Sequence, residues 1–202
     1  MERLTEVAGY QEGFFSAAQA SAAGVDRYRL RRLADAGLVE RDEKGIYRFT
    51  THVPTDRAEL WRAVIWPTVG RNPKDGPLPI GVLSHGSALE IYNVSTINPS
   101  KIDITVPKSF RVRRDVPSIY RLHYADFERS DLDQRDGLPV TSFYRTLIDL
   151  IVDGLDTQFV DEALANTATL LTPSQRDTLK ALRSLDRRAL DVVLRKLNTS
   201  RT

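Results

Sequence analysis

The 202 residues allow one medium domain, or a small domain beside a larger one, and 41% hydrophobic residues suffice for packed cores. The net charge is only +2, so any affinity for nucleic acid must come from local basic patches. There is no cysteine, no apolar run near the roughly 20 residues of a membrane helix, and no signal-type start, so we expect a soluble cytoplasmic protein.

The stretch from residue 14 to 49 has the pattern of a winged helix-turn-helix. Ser16 and Gln19 have the spacing of a capping box, which predicts a short helix after Ser16. Asp26 can cap a second helix whose inward stripe is Leu30, Leu33 and Ala34. Residues 38–41 and 46–49 then alternate as two strands around a four-residue loop, 42–45. Helix, turn, arginine-bearing helix and hairpin is the order of a DNA-reading winged domain.

Arginines concentrate at the start of the second helix, where four of residues 27–32 are arginine. In this motif that helix enters the major groove. The predicted DNA contacts are Arg27, Tyr28, Arg29, Arg31 and Arg32 on the helix, with Arg41, Lys44 and Arg48 on the wing. The alternatives are a solvated helix face or a protein-contact module, because residues 1–50 carry eight basic and eight acidic side chains. Asp42 and Glu43 at the wing tip would also repel phosphate.

The chain divides at a predicted linker, His52 to Pro54, where proline ends regular structure. We therefore expect residues 1–54 to form the winged domain, with Phe14 and Phe15 as its core anchors, and residues 55–202 to form a larger domain. Helices are predicted over 56–67 behind an Asp56 cap, 84–92, 141–153 behind a Thr141 cap, 156–168, from 173, and 186–197. Strands are predicted over 80–83, 101–106 and 119–124, with loops at 70–79 and 126–136. The fold class is therefore α+β, a winged helix-turn-helix plus a mixed α/β domain that ends in a helical bundle.

Charge is segregated in the second domain. Residues 101–121 hold six basic and two acidic side chains, 149–162 hold five acidic and no basic ones, and 176–201 hold eight basic and three acidic ones. Solvated faces explain this pattern, but the basic segments could also extend a phosphate-facing surface. The acidic residues Asp153, Asp156, Asp161 and Glu162 could face a basic protein partner.

No grouping of residues predicts catalysis. Ser84 and His85 are adjacent, but Ser84 is better explained as a helix cap, and Asp103 lacks the Glu-x-Lys of a metal-dependent nuclease. His52, His85 and His123 lie far apart in sequence without companion thiols. The sequence therefore predicts a non-enzyme with no metal site and no cofactor.

Four motifs resemble the AbiEi family, the antitoxins of type IV toxin-antitoxin systems. They are AAQASAAGVDRYRLRRLADAGLVERDEKGIYRF (17–49), LSHGSALEIY (83–92), INPSKIDITVPKSFRVRR (97–114) and GLPVTSFYRTLIDL (137–150). The resemblance covers about residues 1–155 and departs from the family in its longer loop over 70–79. It implies an N-terminal winged helix that represses its own operon at inverted repeats, and a C-terminal domain that counteracts a neighbouring nucleotidyltransferase toxin. It implies no catalytic residues.

Three hypotheses follow. The first is a DNA-binding antitoxin and autorepressor, with promoter DNA and the toxin as partners, the toxin being met directly or indirectly. The second is a stand-alone winged-helix regulator whose C-terminal domain senses a ligand or a protein. The third is a nuclease-like enzyme, which divalent metal and nucleic acid would test. A nucleotidyltransferase reading frame beside the gene would favour the first over the second.

Overall fold

The computed structural model describes residues 1–71, 78–154, 157–167 and 169–185. The fold is α+β, as predicted. Its helices are α1 Glu2–Gly9, α2 Ala17–Ala22, α3 Arg27–Asp35, α4 Ala58–Ile65, α5 His85–Tyr92, α6 Phe143–Asp153, α7 Thr157–Asn166 and α8 Pro173–Ser184. Its strands are β1 Phe14–Ser16, β2 Val39–Glu43, β3 Ile46–Phe49, β4 Val82–Leu83, β5 Ile102–Val106, β6 Tyr120–Tyr124, β7 Leu132–Arg135 and β8 Leu138–Thr141. Among the described residues no helix is long and apolar enough to cross a membrane.

The N-terminal module combines α1, α2 and α3 with an antiparallel sheet in the order β1-β3-β2. The predicted caps are confirmed, since the Ser16 hydroxyl accepts from the amide of Gln19 and the Gln19 side chain accepts from the amide of Ser16. The Asp26 carboxylate likewise accepts from the amide of Arg29 at 2.8 Å. The wing differs from the prediction because β2 continues to Glu43 through a bulge, which shortens the predicted loop to two residues.

The three-stranded sheet buries both of its faces. Successive strand residues point to opposite sides, so Phe15 packs with Leu30 in the core of the winged helix while Phe14 packs with Trp61 of α4. The prediction that both phenylalanines anchor the small domain is therefore right for Phe15 and wrong for Phe14. The chain from residue 52 to 55 is irregular, as expected of a linker, but the hydrophobic core continues across it.

The predicted second domain contains a mixed five-stranded sheet in the order β6-β5-β4-β8-β7. β4 is parallel to β8 and β5 is parallel to β6, while β4 with β5 and β7 with β8 are antiparallel. On β5, Ile104 lies beside Pro67, whereas Asp103 lies beside Gly86 and Ser87 of α5. Both faces of the sheet are thus covered, which is why residues 103–106 are all buried.

Several local predictions for this domain are wrong. Asp56 does not cap α4, because Arg57 holds that position and the Thr55 hydroxyl accepts from the amide of Arg57 while donating to Glu12. Ser142, and not Thr141, caps α6. Residues 132–135, predicted as loop, form the edge strand β7. The strand was not recognised because its residues are mostly polar.

The end of the chain follows its predicted pattern as far as it is described. Thr172 and Gln175 form the expected capping box around α8, and Leu179 and Leu182 are buried. α6 contacts both α7 and α8, as in a small helical bundle. The predicted helix over 186–197 lies outside the described residues, as do residues 72–77 of the predicted loop.

Candidate nucleic-acid interface

Helix α3 presents a cationic face to solvent. Leu30 is buried and Leu33 and Ala34 are partly buried against the core, which turns the opposite side of the helix outward. All five predicted contacts on this helix are exposed: Arg27, Tyr28, Arg29, Arg31 and Arg32.

The charges on this face are free for a ligand. Arg31 makes an ion pair with Asp35 at 3.9 Å, but its side chain remains 82% exposed. The side chains of Arg27, Arg29 and Arg32 make neither a hydrogen bond nor an ion pair with any residue that the structure describes. A face with several unneutralised guanidinium groups and an exposed tyrosine can contact phosphates and base edges together.

The wing presents two of its three predicted contacts. Arg41 and Lys44 are exposed. The Arg48 side chain is only 12% exposed, since its guanidinium donates to Glu40 and to the carbonyl of His52 and lies over the ring of Phe14. Arg48 therefore holds the hairpin in place and is not directed to solvent.

The acidic residues of the wing point towards α4, contrary to the expectation that they would face phosphate. The Asp42 carboxylate accepts from Arg62 at 2.6 Å, and the two side chains are 14% and 19% exposed. Burial raises the pKa of Glu43, with the charge of Asp42 adding to the effect. The acidic side chains that were expected to repel DNA phosphate therefore lie mainly on the side of the wing that faces α4, and not on its exposed side.

The tip of the wing is docked on the second domain. Arg114 donates to the carbonyls of Lys44 and Trp66, and its guanidinium lies 4.3 Å from the centre of the Trp66 ring. Gly45, at φ +86°, is so close to Val69 that an added Cβ would lie 2.4 Å from a methyl carbon. These contacts fix the position of the wing relative to α4.

The predicted partner-binding acidic residues do not form one open face. Asp153 contacts two histidines, Asp161 pairs with Arg183 at 2.7 Å, and Glu162 accepts from the amide and hydroxyl of Thr96. Asp156 lies outside the described residues. In this part of the domain the acidic side chains join α7 to its neighbours, although the Asp161 side chain remains 60% exposed.

The sequence did not predict one cluster of interacting histidine and aspartate side chains. The structure brings His85 and His123 together with their rings stacked at a centroid distance of 3.6 Å, and Asp103 and Asp153 bind them. Ser84 holds the N-cap position of α5, as predicted, but its hydroxyl lies 2.9 Å from His85 Nδ1 and makes no bond to a helix amide. This meeting depends on the parallel pairing of β5 with β6 and on the packing of α5 and α6, and no local pattern in the sequence specifies either.

Electrostatics in this cluster favour charged side chains. Burial lowers the pKa of His123, but hydrogen bonds to Asp103 and Asp153 outweigh burial and raise the pKa to about 9. Hydrogen bonds from His123 and His85 hold the pKa of the Asp153 carboxyl well below its usual range. Beside the cluster lies a cavity of about 240 Å³, lined by polar groups of Asn98, Ser100, Asp103 and Arg121 and by apolar neighbours.

Comparison with known proteins bears on the N-terminal module. Residues 2–50 match the model of a family described as "Transcriptional regulator, AbiEi antitoxin". No curated protein matches the chain. The chain is similar to the crystal structure of the RV2827C protein from Mycobacterium tuberculosis, with 15% identity over 92% of this chain and 82% of that chain and a TM-score of 0.49. The family match covers the N-terminal winged module and does not extend to residues 51–202.

Proposed function

We propose that this chain is the antitoxin of a toxin-antitoxin pair, which represses its own operon and counteracts a nucleotidyltransferase toxin. The observation that carries the proposal is the exposed arginine face of α3, within a module matched to a family of antitoxin regulators. It would act in the cytoplasm, as a regulator and not as an enzyme. We also propose the division of labour suggested by the sequence, with operator binding in residues 1–54 and toxin neutralisation in residues 55–202.

In the proposed complex, α3 lies in the major groove. Arg27 and Arg29, near the start of the helix, and Arg31 and Arg32, one turn further on, are then placed to contact base edges and phosphates. Arg41 and Lys44 on the wing contact the backbone, while Arg48 supports the wing from inside. The docked wing gives the DNA-binding surface a fixed shape, which reduces the ordering cost of binding.

Substitution of single arginines on α3 tests the DNA half of the proposal. Arg31→Ala and Arg32→Ala should each weaken binding to the promoter by about 1–3 kcal/mol if they read bases, because a buried base edge loses its donor. A residue that contacts phosphate should instead weaken all sequences alike and lower the salt slope by about one unit. Mobility shifts on the promoter and on an unrelated duplex, at two or more salt concentrations, measure both effects.

The matched control is Arg3→Ala, which removes another exposed arginine, from α1 of the same module. It should bind the promoter as wild type does, and all three variants should keep the wild-type melting temperature. Promoter affinities of Arg31→Ala and Arg32→Ala equal to that of Arg3→Ala would exclude α3 as the recognition helix.

Growth rescue tests the antitoxin half. With the neighbouring toxin expressed and the antitoxin supplied from an unrelated promoter, the double variant Arg31→Ala/Arg32→Ala should rescue as well as wild type. Asp161→Lys should impair rescue if the exposed Asp161 carboxylate faces a basic partner, since like charges across an interface cost several kcal/mol. The control is Asp177→Lys, which makes the same charge reversal at an exposed aspartate of the neighbouring helix α8. Full rescue by Asp161→Lys would remove this carboxylate from the mechanism.

A second candidate, a stand-alone regulator that senses a ligand, is favoured by one observation. The cavity beside Asp103 and Arg121 has a volume of about 240 Å³ and offers charged groups of both signs. This candidate predicts no toxin gene beside the operon and a small molecule that releases the promoter. A toxin neutralised in the rescue assay would decide against it.

A further inference from the structure

The stacked histidines and Asp153 come from three separate elements. His85 is the first residue of α5, His123 lies on β6, and Asp153 is the last residue of α6. One atom of the Asp153 carboxylate, Oδ2, lies 3.2 Å from His85 Nε2 and 3.3 Å from His123 Nδ1. The potential ligand atoms of all three side chains lie within 4.8 Å of one another.

The other nitrogen of each histidine is already held by an oxygen. His123 Nε2 donates to Asp103 Oδ1 at 2.9 Å, and His85 Nδ1 lies 2.9 Å from the Ser84 hydroxyl. A metal-binding histidine characteristically donates its second ring N–H to a carboxylate or another fixed oxygen, which sets the tautomer and orients the ring. The inner nitrogens, His85 Nε2 and His123 Nδ1, face the Asp153 carboxylate, to which both are hydrogen-bonded in the absence of metal. A metal ion would replace the protons of these two bonds, and both nitrogens and Asp153 Oδ2 would then be its ligands.

The distances from Asp153 to the two histidines are those of ligands around one ion. Ligand atoms of a tetrahedral zinc ion, with bonds of about 2.0–2.2 Å, lie about 3.3–3.6 Å apart. The two distances from Asp153 Oδ2 to the histidine nitrogens, 3.2 and 3.3 Å, are close to this separation between ligand atoms. To bind one ion, the two rings would rotate out of their stack, because an imidazole lone pair lies in the plane of its ring and the two planes are now nearly parallel, at 14°. The end of α6 also favours a cation, because the helix dipole is negative at its C-terminus.

We propose that His85, His123 and Asp153 bind one divalent transition-metal ion, with zinc as the preferred ion. Two imidazole nitrogens and one carboxylate suit zinc, cobalt or nickel, whereas magnesium and calcium take oxygen ligands. The Asp153 side chain is 42% exposed and the histidines are 5% and 14% exposed, so the ion enters from the side of Asp153. Three protein ligands leave a fourth position for water or for a donor atom from a partner.

Bound metal would join the start of α5, the edge strand β6 and the end of α6. Asp103 acts as a positioning residue, since it contacts His123 and would not contact the ion. This site is separate from the arginine face of α3, so the proposal does not depend on DNA binding.

Calorimetric titration of the full-length, chelator-treated protein with zinc chloride tests the proposal. We expect one zinc ion per chain, an increase in melting temperature with zinc, and no comparable heat with magnesium or calcium. Cobalt should give the visible absorption of a four-coordinate ion, which reports nitrogen and oxygen ligands directly. Asp153→Asn is the principal variant because it keeps the size of a half-exposed side chain while removing its charge, and it should lose stoichiometric zinc binding.

Further variants separate ligation from folding. His85→Asn and His123→Asn should also lose zinc binding, and asparagine suits residue 85 because the backbone there has φ +49°. Asp103→Asn should weaken zinc binding by about 10–100-fold without abolishing it. His52→Ala removes the only histidine outside the cluster and should bind zinc as wild type does.

The variants also define what would overturn the proposal. If wild type binds no zinc while Asp153→Asn melts earlier, the three side chains form only a hydrogen-bonded ion-pair cluster. Zinc binding that survives unchanged in a folded Asp153→Asn, or that disappears only in His52→Ala, would place the ion elsewhere. Each of these results rejects the site.

Discussion

Replacement of Arg145 by methionine is expected to destabilise the protein by about 3–5 kcal/mol, because it leaves a buried carboxylate without its cation. The Arg145 guanidinium on α6 donates to Asp149 at 2.7 Å and to Asp131 at 3.1 Å. The Arg145 and Asp149 side chains are 11% and 12% exposed. Urea unfolding at neutral pH measures the loss of free energy of unfolding.

The cost of Arg145→Met should depend on pH. Burial raises the pKa of Asp149 above its usual 3.8, and the charge of Arg145 opposes that rise. Without Arg145 the pKa of folded Asp149 rises further, so the folded state holds a proton more tightly than the unfolded chain. The free energy of unfolding of the variant therefore falls as the pH rises through that higher pKa. The difference in free energy of unfolding between the variant and wild type should be largest at neutral pH and should shrink towards about pH 4.

The control for this variant is Arg57→Met. Arg57 pairs with Asp136 at 2.8 Å, but the two side chains are 43% and 59% exposed. A solvent-exposed ion pair contributes about 0–1 kcal/mol, so the control should unfold nearly as wild type does. Equal and pH-independent losses in both variants would show that burial of the Arg145 pair does not determine its contribution.

Phe14→Ala and Phe15→Ala should each cost about 3–5 kcal/mol but should loosen different parts of the protein. Both side chains are 0% exposed, and they point to opposite faces of the three-stranded sheet. Phe15 packs inside the winged helix, whereas Phe14 packs in the larger core with Trp61. Amide hydrogen exchange, read segment by segment, separates the two effects.

Phe15→Ala should speed exchange mainly in residues 1–50. Phe14→Ala should also speed exchange in α4 and in the strands β4 and β8 that α4 contacts. The two variants are matched controls for each other, being neighbours with the same side chain. Identical exchange patterns would indicate that the winged helix and the second domain unfold as one unit, and would count against a functional division at residue 54.

The sequence by itself determined the features that depend on near neighbours in the chain. Ser16 with Gln19, Asp26, and Thr172 with Gln175 cap their helices as predicted, because a capping bond reaches only three residues. The exposed side of α3 was likewise correct, since the 3.6-residue period that buries Leu30 also turns the arginines outward. The edge strand β7 was not predicted, because its residues are polar and its strand conformation depends on pairing with β8.

Only the tertiary structure decided which distant residues meet. The acidic side chains of the wing turn towards Arg62, and Phe14 packs against the larger core that contains Trp61. Neither Arg62 nor Trp61 belongs to the winged helix. The histidine cluster depends on the parallel pairing of β5 with β6 and on the packing of α6 against α5. His85 and His123 are separated by 38 positions in the chain, yet their rings stack, because register between strands and helix packing are set by the whole buried core and by no local pattern.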